Sequence, residues 1–286
     1  LPLARKVLNS HGIHPDFIIA RSEQALDAER IEKISSYCFI PSSHIISAPD
    51  IDCIYDIPLN FGEANIGEEI IKALNMERKK TPLYPNWRKK VKKIKNPKRK
   101  LNIGIIGKYY KSGDFDLKDS YVSVLEALNH ASWENSVEPE IHWIVADGLE
   151  KDKKRQAEIL KMDGIIVPQG WGSRGSEGKI KAIQVTRENK IPYLGLCYGM
   201  QMAMIEYARN VLGLEDANSQ EIDSKSKNRV IHLMKEQQEL IKNKEYGGTI
   251  RLGAWPCKLD KGSVIYEQYK KHKNELYKEL PVVMER

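Results

Sequence analysis

The chain alternates short apolar runs with stretches of helical period, and the alternation starts afresh once, after residue 100. Residues 3–11 carry helical spacing and stop at Gly12. His14-Pro-Asp-Phe-Ile-Ile-Ala20 reads as a turn followed by a short buried strand, ending at Arg21-Ser22. Asp27 to Phe39 predicts a helix, with apolar or small positions at 28, 31, 34 and 38 and Asp27 as its N-cap. His44 to Ala48 is another short strand and runs into Pro49-Asp50-Ile51-Asp52; a helix is expected over 67–75. Strand, helix, strand with polar residues at the strand ends is the pattern of an α/β unit, where ligands gather at the carboxyl ends of parallel strands.

The second series begins with Leu101 to Ile106, a buried first strand, followed by Gly107-Lys108-Tyr109. Gly104 and Gly107 do not make a dinucleotide fingerprint, because the third glycine and a later strand-end acid at the right spacing are missing. A helix over 119–130 has apolar positions at 121, 122, 124, 125 and 128, and Glu140 to Ala146 reads as a strand set off by Pro139. Lys151 to Lys161 predicts a charged helix with Ala157 and Leu160 free to face a core. A strand at 163–168, a helix at 179–189 and a strand from Ile191 complete the repeat. The fold class expected is α/β: two α/β domains with largely parallel sheets, the second a doubly wound sheet over 101–215.

At 286 residues, 41% apolar and 30% charged, the chain is long enough for two cores. No apolar run approaches the roughly 20 residues of a membrane span. Cys38, Cys53, Cys197 and Cys257 lack metal-ligand pairing, and their sparseness fits a reducing, cytoplasmic setting better than a disulfide framework. The net charge of +7 is local: residues 79–100 hold 11 Lys/Arg and no acid, and the rest of the chain has 35 basic against 39 acidic residues. A Pro-punctuated basic run between two patterned regions reads as a solvated linker rather than a nucleic-acid surface.

The chemistry concentrates in Ile191-Pro-Tyr-Leu-Gly-Leu-Cys-Tyr-Gly-Met-Gln201. Gly195 and Gly199 bracket Cys197, and Met200 to Val211 has apolar residues at 200, 203, 204, 207, 208 and 211. Strand, tight glycine turn and helix make the thiol version of a nucleophile elbow, in which the helix N-terminus favours a thiolate. A buried structural cysteine accounts for the same spacing equally well. Gln169-Gly-Trp-Gly-Ser-Arg-Gly-Ser-Glu-Gly178 follows the preceding strand directly, and Gly-rich backbone there can aim N–H groups at a developing negative charge.

These segments resemble the CTP synthase family. Gly-Ile-His-Pro-Asp-Phe-Ile-Ile-Ala-Arg-Ser (12–22) and Ile-Ser-Ala-Pro-Asp-Ile-Asp-Cys-Ile-Tyr-Asp-Ile-Pro (46–58) are similar to the closing part of its synthetase (amidoligase) domain. Gly-Lys-Tyr (107–109), 118–128, Arg174-Gly-Ser-Glu-Gly-Lys-Ile180, Cys197-Tyr-Gly-Met-Gln201, Ala217 to Glu221 and Gly247 to Gly253 are similar to its class I, flavodoxin-like glutamine amidotransferase domain. The resemblance implies domains at 1–78 (the end of the synthetase domain) and 101–286 (the amidotransferase domain), with the basic linker at 79–100. It implies Cys197 as the nucleophile toward the glutamine amide. Gly170 (with Gln169), Tyr198, Gly199, Met200, Gln201 and Glu221 fall at the oxyanion and glutamine-binding positions. Lys33 falls at the UTP/CTP contact, and Pro49, Asp50 and Ile51 at the ATP adenine contact. Also implied are Mg²⁺ and ATP as cofactors, GTP as an allosteric activator, UTP and L-glutamine as substrates, CTP as a feedback inhibitor, and a homodimer or homotetramer. Neither nucleic acid nor a membrane is implied.

The chain departs from the family's pattern at several points. The loop reads Pro168-Gln169-Gly170-Trp171-Gly172 where the family has Pro-Gly-Gly-Phe-Gly, and Gln would be strained if position 169 needs positive φ. Tyr198 stands where Leu is usual. No His-Pro-Glu, the family's source of the other two triad members, occurs; His232 and His272, in stretches read as charged and helical, are poor substitutes. The metal-binding acids and the phosphate-binding Gly-rich loop are not among these residues either. The chain is therefore expected to be an internal piece of a CTP synthase that completes neither half-reaction alone. Two rivals stand beside this: a non-catalytic paralogue that binds nucleotide or joins the parent oligomer, and a stand-alone glutamine or γ-glutamyl hydrolase.

Overall fold

A computed structural model describes residues 2–77, 83–108, 111–112, 115–116, 121–170, 172–234 and 259–272. It forms two compact units, Leu1–Met202 and Ala203–Arg286.

In the first unit, α1 (Pro2–Ser10) precedes a small parallel sheet of β1 (Ile18–Ser22) and β2 (Ile45–Pro49), in register from Ile18 opposite Ile45 to Ser22 opposite Pro49. Between the strands runs α2 (Ala28–Cys38). Asp27 caps it as its sequence predicts, accepting the Arg30 N–H at 2.8 Å, and Phe39 closes it in the left-handed region. Cys38, Ile40 and Ile45 form the local core, with Ile18, Leu26, Ile31 and Ile34 packed on it. α3 (Ile57–Glu63) and α4 (Ile66–Ala73) come next.

The basic run is not the bare linker its composition suggests. Leu83–Lys95 is a helix, α5, with Pro85 in the first turn, where a missing N–H costs nothing. Val91 is buried, and Trp87 donates its indole N–H to the Tyr55 carbonyl at 2.9 Å. Lysines fill the last turn, where the helix dipole favours cations.

The larger sheet takes β3 (Arg99–Gly107), β6 (Val137–Val145), β7 (Gly164–Val167) and β8 (Tyr193–Gly195) in the order β6-β3-β7-β8, all parallel. A two-residue hairpin, β4 (Lys111–Ser112) with β5 (Phe115–Asp116), lies after β3. The crossovers carry α6 (Val122–Glu134), α7 (Lys153–Ile159) and α8 (Ser176–Glu188), and α9 (Tyr198–Asn210) leaves β8. Ile105, Tyr121, Val124 and Ile166 make the core beneath α6. This is the doubly wound arrangement the alternation predicts, in the flavodoxin-like form the resemblance implies.

Three details differ from expectation. Pro139 lies inside β6 rather than before it, opposite Leu101; β6 is an edge strand, where a residue without an N–H is tolerated. In α7 the buried residues are Gln156 and Ile159, while Ala157 and Leu160 are exposed. The helix starts at Lys153 with Asp152 as its cap, which turns the 156/159 face inward. In α9 the buried face is Tyr198, Met202, Ile205 and Ala208, while Met200, Met204, Tyr207 and Val211 of the predicted stripe are exposed. A helix apolar on two faces does not say which one is to be covered.

In the second unit, β9 (Asn218–Ser219) pairs in parallel with β10 (Arg229–Ile231), and α10 spans Val264–His272. No described helix is long and apolar enough to cross a membrane.

Candidate active site

Three adjacent parallel strands end side by side, and the candidate residues come just beyond their carboxyl ends. Lys108 comes after β3, Gln169 and Gly170 after β7, and Cys197 after β8. The Leu196 N–H donates to the Val167 carbonyl at 2.9 Å, which seats the elbow against the Gly-rich loop.

Cys197 is exposed and has φ +52°. Among the described residues five other non-glycine residues have positive φ: Phe39, Asn65, Asn75, Ser136 and Lys190. Each of those follows the end of a helix, where the left-handed turn is a routine stop, Asn65 also capping the start of the next. Cys197 follows a strand and precedes a helix, and its carbonyl accepts the Gln201 N–H at 3.1 Å. Holding a side chain there costs about 1–3 kcal/mol, which the surroundings must impose. The two glycines show how. A Cβ on Gly199 would stand 1.9 Å from the Val167 oxygen, and one on Gly195 would stand 2.7 Å from the backbone of Gly199 and Met200. Strand β8, the turn and α9 are in backbone contact, and only glycine permits that approach. The Tyr193 hydroxyl donates to the Gly199 carbonyl at 2.8 Å and locks the turn. A buried structural role does not fit Cys197: among the described cysteines Cys38 is the fully buried one, and Cys197 is exposed.

The Gly-rich loop is anchored from three directions. Gln169 is not among the positive-φ residues, so the strain anticipated for Gln does not arise; the left-handed positions there are Gly172 and Gly175. Tyr198, buried, donates its hydroxyl to the Gly172 carbonyl at 2.7 Å. The Lys108 ammonium donates to the carbonyls of Arg174 at 3.1 Å and Gly172 at 3.4 Å, and lies 5.6 Å from the Tyr198 ring centre. Lys179, 0% exposed, lies 5.1 Å from the same ring and donates to the Pro168 carbonyl at 3.3 Å. Sequence reasoning passed over Lys179. Its signal was a lysine on the helix face that also carries Ile180, Ile183 and Thr186.

Burial, and then the Lys108 charge, push the Lys179 ammonium down from 10.5 to about 8, against the pull of Cys197 and Asp147. A cation whose pKa falls on folding weakens the fold while it stays protonated. The penalty is complete below pH 8 and fades as pH climbs toward 10.5, because only the unfolded chain then still holds the proton. At pH 7 it is on the order of 3 kcal/mol. Lys179→Met, which carries no charge, is expected to melt at a higher temperature than the parent at pH 7, and the gap should shrink between pH 8 and 10. Thermal melts across that range check this, and a pH-independent gap would count against it.

The other predicted residues lie as follows. Met200 is exposed and Gln201 half-buried in the first turn of α9, within reach of the elbow along the chain. Glu221 belongs to the second unit, in the turn after β9, with its N–H on the Ser219 hydroxyl at 3.2 Å. Lys33 stands on the exposed side of α2, 3.2 Å from Glu29. Pro49 ends β2, and Asp50 and Ile51 come next at the strand's carboxyl end, with Asp50 paired to Arg21 at 2.7 Å. His232 follows a strand, β10, rather than sitting in a helix; His272 ends α10. Tyr109, Trp171, Cys257 and the 247–253 segment lie outside the described residues. Among the described residues no three His, Cys, Asp or Glu side chains converge to hold a metal ion, so the site for Mg²⁺ is not found there.

Comparison with known proteins agrees on both parts of the chain. Residues 116–279 match the family described as glutamine amidotransferase class-I, and residues 3–76 match the CTP synthase N-terminus. The CTP synthase of Carboxydothermus hydrogenoformans is 45% identical over 287 residues, covering 96% of this chain and 52% of that protein. That of Pyrococcus abyssi is 45% identical over 266 residues, covering 93% of this chain and 48% of its own. A solved structure of the glutaminase domain of Trypanosoma brucei CTPS with bound acivicin is similar at 33% identity and a TM-score of 0.48, covering 60% of this chain and 62% of that one. The chain thus spans about half the length of the curated relatives it matches. With a thiol elbow in one matched region and a CTP synthase segment in the other, the chain belongs to the class-I glutamine amidotransferase family, in the form that follows a CTP synthase N-terminus.

Proposed function

We propose that this chain carries the ammonia-producing site of a glutamine-dependent CTP synthase. The observation that carries the reading is the exposed Cys197 thiol held at positive φ between β8 and the N-terminus of α9. The thiolate attacks the side-chain carbonyl carbon of glutamine, and the tetrahedral oxyanion is met by the N–H groups of Tyr198 and Gly170. In the whole enzyme, collapse to a thioester releases ammonia as the proton lost by the thiol is returned to the leaving nitrogen, and water then releases glutamate and restores the thiol. Gln201 would hold the amino-acid end of the substrate, and Glu221 keeps the glutamine-binding role that the resemblance gives it, its carboxylate suited to an α-ammonium group.

In the whole enzyme the ammonia would aminate UTP activated by ATP. Lys33 would meet the triphosphate of UTP or CTP as a point charge, and backbone at Pro49, Asp50 and Ile51 would meet the adenine. No step is assigned to Mg²⁺ on these residues, and GTP activation and a homodimer or homotetramer belong to the same proposal. The domain division at 1–78, 79–100 and 101–286 also stays within it. The non-catalytic alternative gains nothing from the site, since a strained, exposed thiol has no packing purpose.

A glutamine-mimicking electrophile, such as a diazoketone or chloroketone analogue, tests the reading. It should add once, at Cys197, and free L-glutamine should protect; intact mass and peptide mapping read the result. Modification spread over Cys53 and Cys197, or no protection by glutamine, would remove the proposal.

A further inference from the structure

Tyr198 is the residue where this chain carries an aromatic ring directly after its nucleophile, and two buried or nearly buried lysines attend that ring. Lys179 reaches it from α8 and Lys108 from the end of β3, at 5.1 and 5.6 Å from the ring centre. A ring face attracts ammonium groups, and more strongly where water is excluded. The polar ends of all three side chains then converge on one strip of backbone: Pro168 O for Lys179, Gly172 O for Tyr198 and Lys108, and Arg174 O for Lys108. These carbonyls bracket Gly170, whose N–H the glutaminase reading uses. Gly172 has φ +72° and open space where a Cβ would stand.

We propose that Lys179 and Tyr198 form a clamp that positions the Gly-rich loop against the thiol elbow, with Lys179 acting as a positioning residue for the glutaminase site. Tyr198 is rigidly part of the elbow, being the first residue of α9, so a bond from its hydroxyl to Gly172 ties loop to nucleophile directly. Lys179 ties the other end of the loop, at Pro168, to the same ring. A bare hydrocarbon at either position would fill the space and leave the loop untied. Keeping a desolvated cation under the ring is consistent with a task other than stability, since its ammonium is pushed down to about 8 by burial and by Lys108. The clamp rests on the reading of Cys197 as a nucleophile.

Two variants each cut one tie: Lys179→Met removes the bond to Pro168, and Tyr198→Phe keeps the ring but removes the hydroxyl's bond to Gly172. Two reagents separate positioning from simple thiol access. The glutamine-mimicking electrophile needs the loop donors at its carbonyl, whereas iodoacetamide needs only an exposed sulfur. Each variant should slow the first by about ten-fold or more while changing the second by less than about three-fold. Amide hydrogen exchange at Gly170 and Gly172 should rise in both variants while that of β7 stays put. If both reagents slow together, or neither does, or exchange at the loop is unchanged, the clamp is overturned; should one variant fail to fold, the other decides. Absence of glutamine-analogue labelling in the parent protein would fell the glutaminase reading alone, and loop exchange would still judge the clamp.

Discussion

In the whole enzyme Cys197→Ser is expected to lower glutamine-dependent ammonia release by about a thousand-fold or more, and in this chain to abolish the adduct with the glutamine-mimicking electrophile. The oxygen of serine is close in size to the sulfur it replaces, so the elbow survives and the loss reports chemistry. At neutral pH a hydroxyl is almost never ionised, and nothing in the β8–α9 turn makes it so. A thiol yields its proton far more readily. Removing the nucleophile of a covalent hydrolase leaves only binding and oxyanion stabilisation, which accounts for the scale of the loss. The ammonia assay should be run beside intact mass, because Cys53 is partly accessible and Cys38 is not. A serine variant that still forms adduct at the parent's rate would show that another group does the attack.

The second large effect is structural. Gly199→Ala is expected to destabilise the protein by about 3–5 kcal/mol, a large share of a typical domain's total. The new methyl would sit 1.9 Å from the Val167 oxygen and 2.8 Å from its carbonyl carbon, both backbone atoms of β7. Neither can rotate away, so α9 must move off the sheet. That movement breaks the bond from Leu196 N–H to the same Val167 carbonyl, leaving a buried acceptor unmet. Gly67→Ala is the control: it lies in α4 with nothing within 4 Å, and alanine there should be neutral or stabilising by a few tenths to about 1 kcal/mol. Urea unfolding of the three proteins tests the pair. Equal stability of the two alanine variants would mean that the close approach of α9 to β7 is not real.

The elbow and the sheet were legible because each obeys a local rule. Gly-x-Cys-x-Gly after an apolar run states that a helix must begin in contact with a strand, and the alternation from 101 onward states a parallel sheet. What escaped was everything decided by contacts distant in sequence. The apolar residues of α9 fall on two faces, and the fold buried Tyr198, Met202 and Ile205 rather than Met200, Met204 and Tyr207. The basic run could have stayed extended, since its like charges repel one another at helical spacing. Val91 and Trp87 decide for a helix by packing and by a bond to Tyr55, some thirty residues away. Lys179 was read past because a lysine normally belongs to the solvent, and the partners that hold it, Tyr198 and Pro168, lie elsewhere in the chain. Glu221 and Lys33 were placed by resemblance alone; the contact given for Lys33 is an ordinary helical pair with Glu29.

The left-handed turn at Cys197 also sets two kinds of selection against each other. Glycine or asparagine at that position would relieve the backbone, so a library of variants chosen only for resistance to heat should shed the thiol early. A library chosen for growth on glutamine as the nitrogen donor should retain it while tolerating change at the exposed Met200 and Met204 beside it. Position 197 is thus where durability and use part company in this chain, and the sulfur stands there at the fold's expense.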